Sequence, residues 1–314
     1  MAYKFKADEP VPRAVIRCAG EQLDHAVFEL GNGIKTDPVR AIHSARKAIK
    51  KERSLLRLVR GALPRDERRR ENAILRDAAR GLSGTRDADV MIASIDDLAH
   101  RFAGQLPAAT FRTIRESLQA RVQHGNGAGS AVNQDVVREL VAVRSRVDEW
   151  QLREGGWKAF ESGLVRSYSR GHQAFHCARR GGEMEALHAW RKRVKDLWYH
   201  SRLLAPTCGP MVRGHAKDLD RLAKLLGDDH DLAVLGQELT GPDISIAVDR
   251  DAVVQLIDYR RTELQTEATG IGERVYAESP KAFRRRMRRS WKAGRRLGLA
   301  QQEQHPAELA AVTR

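Results

Sequence analysis

"IHSARKAIKKERSLLRLVR", Ile42 to Arg60, places seven Lys and Arg and one His in nineteen residues, yet keeps an apolar residue at nearly every turn. At about 100° per residue, His43, Arg46, Lys47, Lys50 and Arg57 fall in one sector, while Ala45, Ile49, Leu56 and Val59 fall opposite. The spacing predicts an amphipathic helix with a basic outer face. Asp37 and Pro38 mark its start, Asp37 as a capping carboxylate and Pro38 at the first helical position, where a missing N–H costs nothing. A basic run is ordinarily only a solvated helix face, so this stretch alone does not specify a function.

The pattern occurs twice. In "LHAWRKRVKDLWYHSRLL", Leu187 to Leu204, His188, Arg191, Lys192, Lys195 and Arg202 fall under His43, Arg46, Lys47, Lys50 and Arg57 at a constant offset of 145. Trp190, Val194, Leu197 and Leu204 supply the apolar back. "LSGTRDADV" (Leu82 to Val90) likewise matches "LGDDHDLAV" (Leu226 to Val234) at an offset of 144, which also sets Lys224 under Arg80. A weaker match sets Arg17, in "RAVIRCAGEQLDHAV", over Arg166, in "GLVRSYSRGHQAF". A period of about 145 residues exceeds that of solenoid repeats and indicates two homologous halves.

Breaks at 31–33, 61–64, 124–130, 154–156, 179–182, 205–210 and 240–242 divide the chain into helical lengths, about four per half. Strand-like alternation is confined to "ISIAV", 244–248. The expected fold is all-α: two four-helix bundles related by a pseudo-two-fold through internal duplication, spanning 1–153 and 156–314.

The 314 residues carry 56 Lys and Arg against 41 Asp and Glu, a formal net charge of +15, which favours a polyanionic partner or an anionic membrane surface without choosing between them. Cys18, Cys177 and Cys208 are far apart and in no metal-binding spacing, so free thiols and a reducing compartment are expected. The sequence holds no apolar run long enough to span a bilayer and no secretory apolar core at its start, which leads to the expectation of a cytoplasmic protein without a membrane partner.

These motifs, in this order, with the tail "SPKAFRRRMRRSWKAGRR", resemble the CHAD family, the conserved-histidine α-helical domain. The resemblance implies two helical bundles that bind inorganic polyphosphate in a basic groove or cavity, and no established catalytic activity. It places the family's histidine-basic helix on His43, Arg46, Lys47 and Lys50, and its second copy on His188, Arg191, Lys192 and Lys195. Arg166, Arg170 and Arg17 follow from the weaker match, and Arg80 and Lys224 from the helices before the second motif. The triphosphate-tunnel domain that precedes many members is marked by a Glu-x-Glu-x-Lys strand, which "EMEALH" (183–188) does not reproduce, so a stand-alone domain is expected, and the resemblance implies association with polyphosphate granules.

The residue types suit a phosphate chain. Arg grips phosphate bidentately, Lys acts as a mobile point charge, and His adds a pH-dependent one. Aromatics are only 5%, whereas single-stranded nucleic-acid binders add stacking platforms, so nucleic acid is the weaker alternative. A metal-dependent phosphohydrolase ranks third. Its one signal, "GDDHD" (227–231), reads instead as the start of a helix, with Asp228 as well as Ser83 or Thr85 in the first half near the N-terminus. No cofactor, metal or catalytic residue is expected.

Overall fold

The computed structural model describes residues 3–82, 86–125, 134–181, 183–241 and 250–304. Among the described residues it is all-helical, with no strand and one isolated bridge, Ala103 to Leu106. Eleven α-helices follow one another: α1 (Val11–Gly31), α2 (Pro38–Leu58), α3 (Arg65–Gly81), α4 (Arg86–Arg101), α5 (Ala108–Gly125), α6 (Gln134–Val147), α7 (Lys158–Gly181), α8 (Met184–Cys208), α9 (Pro210–Thr240), α10 (Arg250–Val275) and α11 (Pro280–Gln304). The stretch 244–248 lies outside the described residues.

The basic helix begins as its sequence dictates. Asp37 is extended (φ −147°, ψ 91°), and its side chain accepts from the Arg40 amide at 3.0 Å, with Pro38 first in the helix. Ala45, Ile49, Leu56 and Val59 are buried, as are Trp190, Val194, Leu197 and Leu204 on α8, so both helices turn the predicted stripe into the core.

Helices α1, α2, α3 and α6 pack together, and α7 to α10 form a second group with α11 laid on α7 and α8. The hydrophobic core is continuous between the groups. An N-terminal strap helps to join them: the Phe5 amide donates to Leu203 O at 3.0 Å, and the Tyr3 hydroxyl donates to Lys51 O at 2.8 Å.

Three features differ from the sequence reading. The described helices number six before residue 154 and five after it, where about four each were expected. The α4–α5 hairpin, turned at Gly104 (φ 85°), lies outside the four-helix group and packs through α4 on α9 of the other half. Second, α9 runs unbroken through 227–231, so Asp228 starts no helix; Leu225, Leu226, Leu232 and Ala233 are buried on either side and keep the segment helical. Its first-half counterpart does begin a helix, at Arg86, although Ser83 and Thr85 lie outside the described residues. Third, α8 continues through Pro206 and ends at Cys208, before Gly209 (φ 86°). The three cysteines are free thiols, Cys18 and Cys208 buried and Cys177 exposed.

Candidate functional site

Helices α2 and α8 cross at Ser54. His200 Nε2 and Ser54 O are 2.9 Å apart, and because a carbonyl only accepts, the imidazole donates. Burial lowers the His200 pKa to about 4, which keeps the ring neutral. Ser54 Oγ reaches Asp196 O at 3.5 Å. Helix α7 lies against the end of α2 backbone to backbone: a Cβ on Gly163 would come within 1.9 Å of Leu58 O. Only glycine permits this approach, and it brings the basic side of α7 beside Arg57 and Arg60.

Arginines gather along this junction. Arg53 is pushed down to about 10 by burial, then by Arg57, Arg76 and Arg80, with Asp196 opposing. Arg193 is lowered by burial and by Arg170, Arg57 and Arg166, again with Asp196 opposing. Arg60 is lowered by burial, Arg166, Arg68 and Arg170, and Arg68 by burial, Arg69, Arg65 and Arg166. Four helices, α2, α3, α7 and α8, thus raise one positive field. Asp196 sits within it, its side chain 12% exposed, with Oδ1 3.0 Å from Arg57 Nη1 and Oδ2 3.5 Å from Arg193 Nη1. Arg166 and Arg170 are exposed.

Toward the N-terminal end of α2 the charges are Lys47, Lys51 and Arg202. Lys51 falls to about 8 through burial, then through Arg202 and Lys47, while its Nζ donates to Gln22 Oε1 at 2.9 Å. Lys195 and Arg202 both lie over the Trp198 ring, each 5.0 Å from its centroid. Near the start of α8, His188 stacks on His230 of α9 with centroids 4.6 Å apart. Its pKa is lowered to about 4 by burial, Lys192, His230 and Arg191. Arg191 lies 3.9 Å from Asp231.

The CHAD domain profile matches residues 17–240. The chain belongs to the CHAD family. No curated protein sequence matches it. Among solved structures it is similar to PptA from Streptomyces chartreusis, with a TM-score of 0.59 at 13% identity over 86% of this chain and 100% of the other. It is also similar to the CHAD domain from the plant Ricinus communis, with a TM-score of 0.54 at 17% identity over 92% of this chain and 95% of that one. At such identities these likenesses concern the fold. The profile ends at Thr240, the last residue of α9, so α10 and α11 lie outside the matched region of this CHAD protein.

The structure divides the CHAD residues named from sequence. It brings Arg57, Arg166 and Arg170 together and sets Arg80 near Arg53. It brings Lys47 to Arg202 through Lys51, and Arg191 and Lys192 to His188. His43, Lys47, Lys50, Arg80, Lys192 and Lys224 are exposed. Arg46 departs from its expected role: its Nη1 donates to Ala79 O at 3.1 Å and Leu82 O at 2.6 Å, so it caps the C-terminal carbonyls of α3. Arg17 departs further. It grips Glu9 with two bonds of 2.8 and 2.7 Å, Glu21 at 3.1 Å and Lys4 O at 3.0 Å, fastening the N-terminal strap to α1. Lys224, on α9, faces Asp228.

Arg53, Arg60, Arg68, Arg193 and Lys51 were not named from sequence. Arg53 and Arg60 lie one turn either side of Arg57, a signal present in the opening stretch. In the 227–231 segment, Asp229 is 2% exposed and bound to Arg261 at 3.1 Å and Gln265 at 2.7 Å. Its carboxylate is committed to α10. Among the described residues no three His, Cys, Asp or Glu side chains converge to hold a metal.

Proposed function

We propose that this CHAD protein binds inorganic polyphosphate along the α2–α7–α8 junction and does not catalyse its breakdown. The observation that carries the reading is the gathering of Arg53, Arg57, Arg60, Arg166, Arg170 and Arg193 with Asp196 as the buried carboxylate among them. A linked chain of phosphates offers many acceptors at short intervals, so weak contacts act together on one molecule. The corresponding faces of α2 and α8 support descent from a duplicated unit, in which each copy kept its basic face and changed its neighbours.

A basic protein also attracts nucleic acid, but base recognition by stacking draws on open aromatic faces. On α8, Trp198 is already covered by Lys195 and Arg202. Among the described residues no helix is long and apolar enough to cross a membrane. We place the protein in the cytoplasm, where polyphosphate granules would be its partner.

Arg166 and Arg170 provide the test, because they are exposed and no structural hydrogen bond of theirs is seen among the described residues. Changing both to Gln should lower the affinity for long-chain polyphosphate more than tenfold, about 1.4 kcal/mol or more, and leave the melting temperature unchanged. Unaltered affinity places the site elsewhere.

A further inference from the structure

We propose that the Asp196 carboxylate stands between Arg57 and Arg193 in the place a phosphate takes on binding, so that the arginine junction carries its own anionic competitor. The inference rests on the polyphosphate reading and deepens it. Asp196 belongs to α8, and its two oxygens engage guanidinium groups on different helices: Arg57 of α2 at 3.0 Å and Arg193 of α8 at 3.5 Å. Bridging of two arginines by two oxygens of one anion is also how a phosphate would be held. Both arginines are accessible, Arg57 with 36% of its side chain exposed and Arg193 with 24%, whereas Asp196 lies beneath them at 12%.

The surrounding groups leave the carboxylate in cationic company. Arg53 and Arg57 face it from α2, Arg193 and the neutral His200 lie on α8, and Arg166 and Arg170 of α7 reach the same cluster through Arg193. The other end of the crossing is a natural control. Lys51 stands 145 residues before Asp196, and its neighbour Arg202 stands 145 after Arg57. The pair Arg57–Asp196 therefore corresponds to Arg202–Lys51, a repelling pair in place of an attracting one. The two ends therefore differ in charge: at the Lys51 end Arg202 and Lys47 bear on a lysine that donates to Gln22, and at the Asp196 end an incoming phosphate must exchange with a carboxylate already in place.

Exchange makes two predictions that a scaffold role does not. Removing the competitor should tighten binding. It should also steepen the salt dependence, because Arg57 and Arg193 then gather small counterions that the ligand must release, by analogy with ions condensed on nucleic acid. The full chain is titrated with inorganic tripolyphosphate and with long-chain polyphosphate, as wild type, Asp196→Asn, Arg57→Gln and the double variant, at several salt concentrations. Asp196→Asn should bind tripolyphosphate about tenfold more tightly with a steeper salt slope, and the gain should vanish in the Arg57→Gln background. Asp196→Ser, read by thermal melting beside Asn, replaces it if the amide variant is unfolded. Equal or weaker binding by the folded variants overturns the inference by making Asp196 a scaffold for Arg57, and a gain that survives Arg57→Gln overturns it by making the gain a general effect of lost negative charge. Failure of wild type and variants alike to bind either phosphate chain overturns the function on which it rests.

Discussion

Glu52 lies on the buried side of α2 at 0% exposure, and neither carboxyl oxygen has a hydrogen-bond partner among the described residues. Burial, with Glu71 adding to it, pushes its pKa from 4.5 up to about 8. The folded chain therefore holds a proton that the unfolded chain gives up above pH 4.5. The native state is penalised progressively as pH rises from 4.5 to about 8 and uniformly above that. The full window corresponds to about 5 kcal/mol as an upper bound, of which about 3 kcal/mol falls between pH 5 and 7. Leu197 occupies the position 145 residues later and is buried without charge, which suggests the perturbation Glu52→Leu. Thermal and urea unfolding of variant and wild type at pH 5 and pH 7, at fixed salt, cancels every other titrating group in the difference. The variant should gain about 3 kcal/mol on wild type between the two pH values, widening the melting gap by about 5 °C for a chain of this size. Glu52→Gln should share the pH-independence. A gap equal at both pH values would show that Glu52 is ionised in the fold and would refute the reasoning.

Arg46→Ala should cost about 2 kcal/mol of stability, since two half-buried carbonyls of α3 lose a charged donor, and should weaken polyphosphate binding less than the Arg166 and Arg170 pair; melting curves beside titrations separate the two effects. His188 is held near pKa 4 by burial and by Lys192, His230 and Arg191, so the free protein loses stability as pH falls from 6.5 toward 4. A phosphate chain over the same face should raise that pKa, so that binding takes up protons near pH 6 and tightens as pH falls; calorimetry in buffers of different ionisation enthalpy should register the uptake, and His188→Gln should abolish it. With Mg²⁺, Mn²⁺ or Zn²⁺ present, phosphate release from polyphosphate should stay at background and be unchanged in His230→Ala. Metal-dependent release lost in that variant would make 227–231 a catalytic segment.

Periodicity disclosed what belongs to a single helix: the buried stripes of α2 and α8, the Asp37 cap and most of the breaks. It did not disclose the α4–α5 hairpin, whose turn rests on Gly104 at positive φ and on packing against α9. Nor did it separate Asp228 as a helix start from Asp228 inside a helix, because an acid followed by an apolar run fits both until the leucines on either side are buried together. Within the site, the basic faces were legible but their division of labour was not. Arg46 binds backbone carbonyls, which leave no mark in a side-chain pattern. Asp196 reaches Arg57 across 139 residues of chain, and the sector of α2 that meets α7 is fixed by the glycine contact at Gly163. Single-helix periodicity cannot specify these long-range pairings.

The central claim is that an extended row of cations engages a linked phosphate chain. Its most direct test is a competition titration in which long-chain polyphosphate, bound to the full protein, is challenged with ATP, orthophosphate and RNA at matched phosphate concentration and at several salt concentrations. Polyphosphate should bind at least about a hundredfold more tightly than ATP or orthophosphate through the joint action of linked contacts, weaken steeply with salt, and resist RNA. Displacement by ATP at equal phosphate concentration would contradict the extended groove, and displacement by RNA at equal concentration would contradict polyphosphate as its ligand.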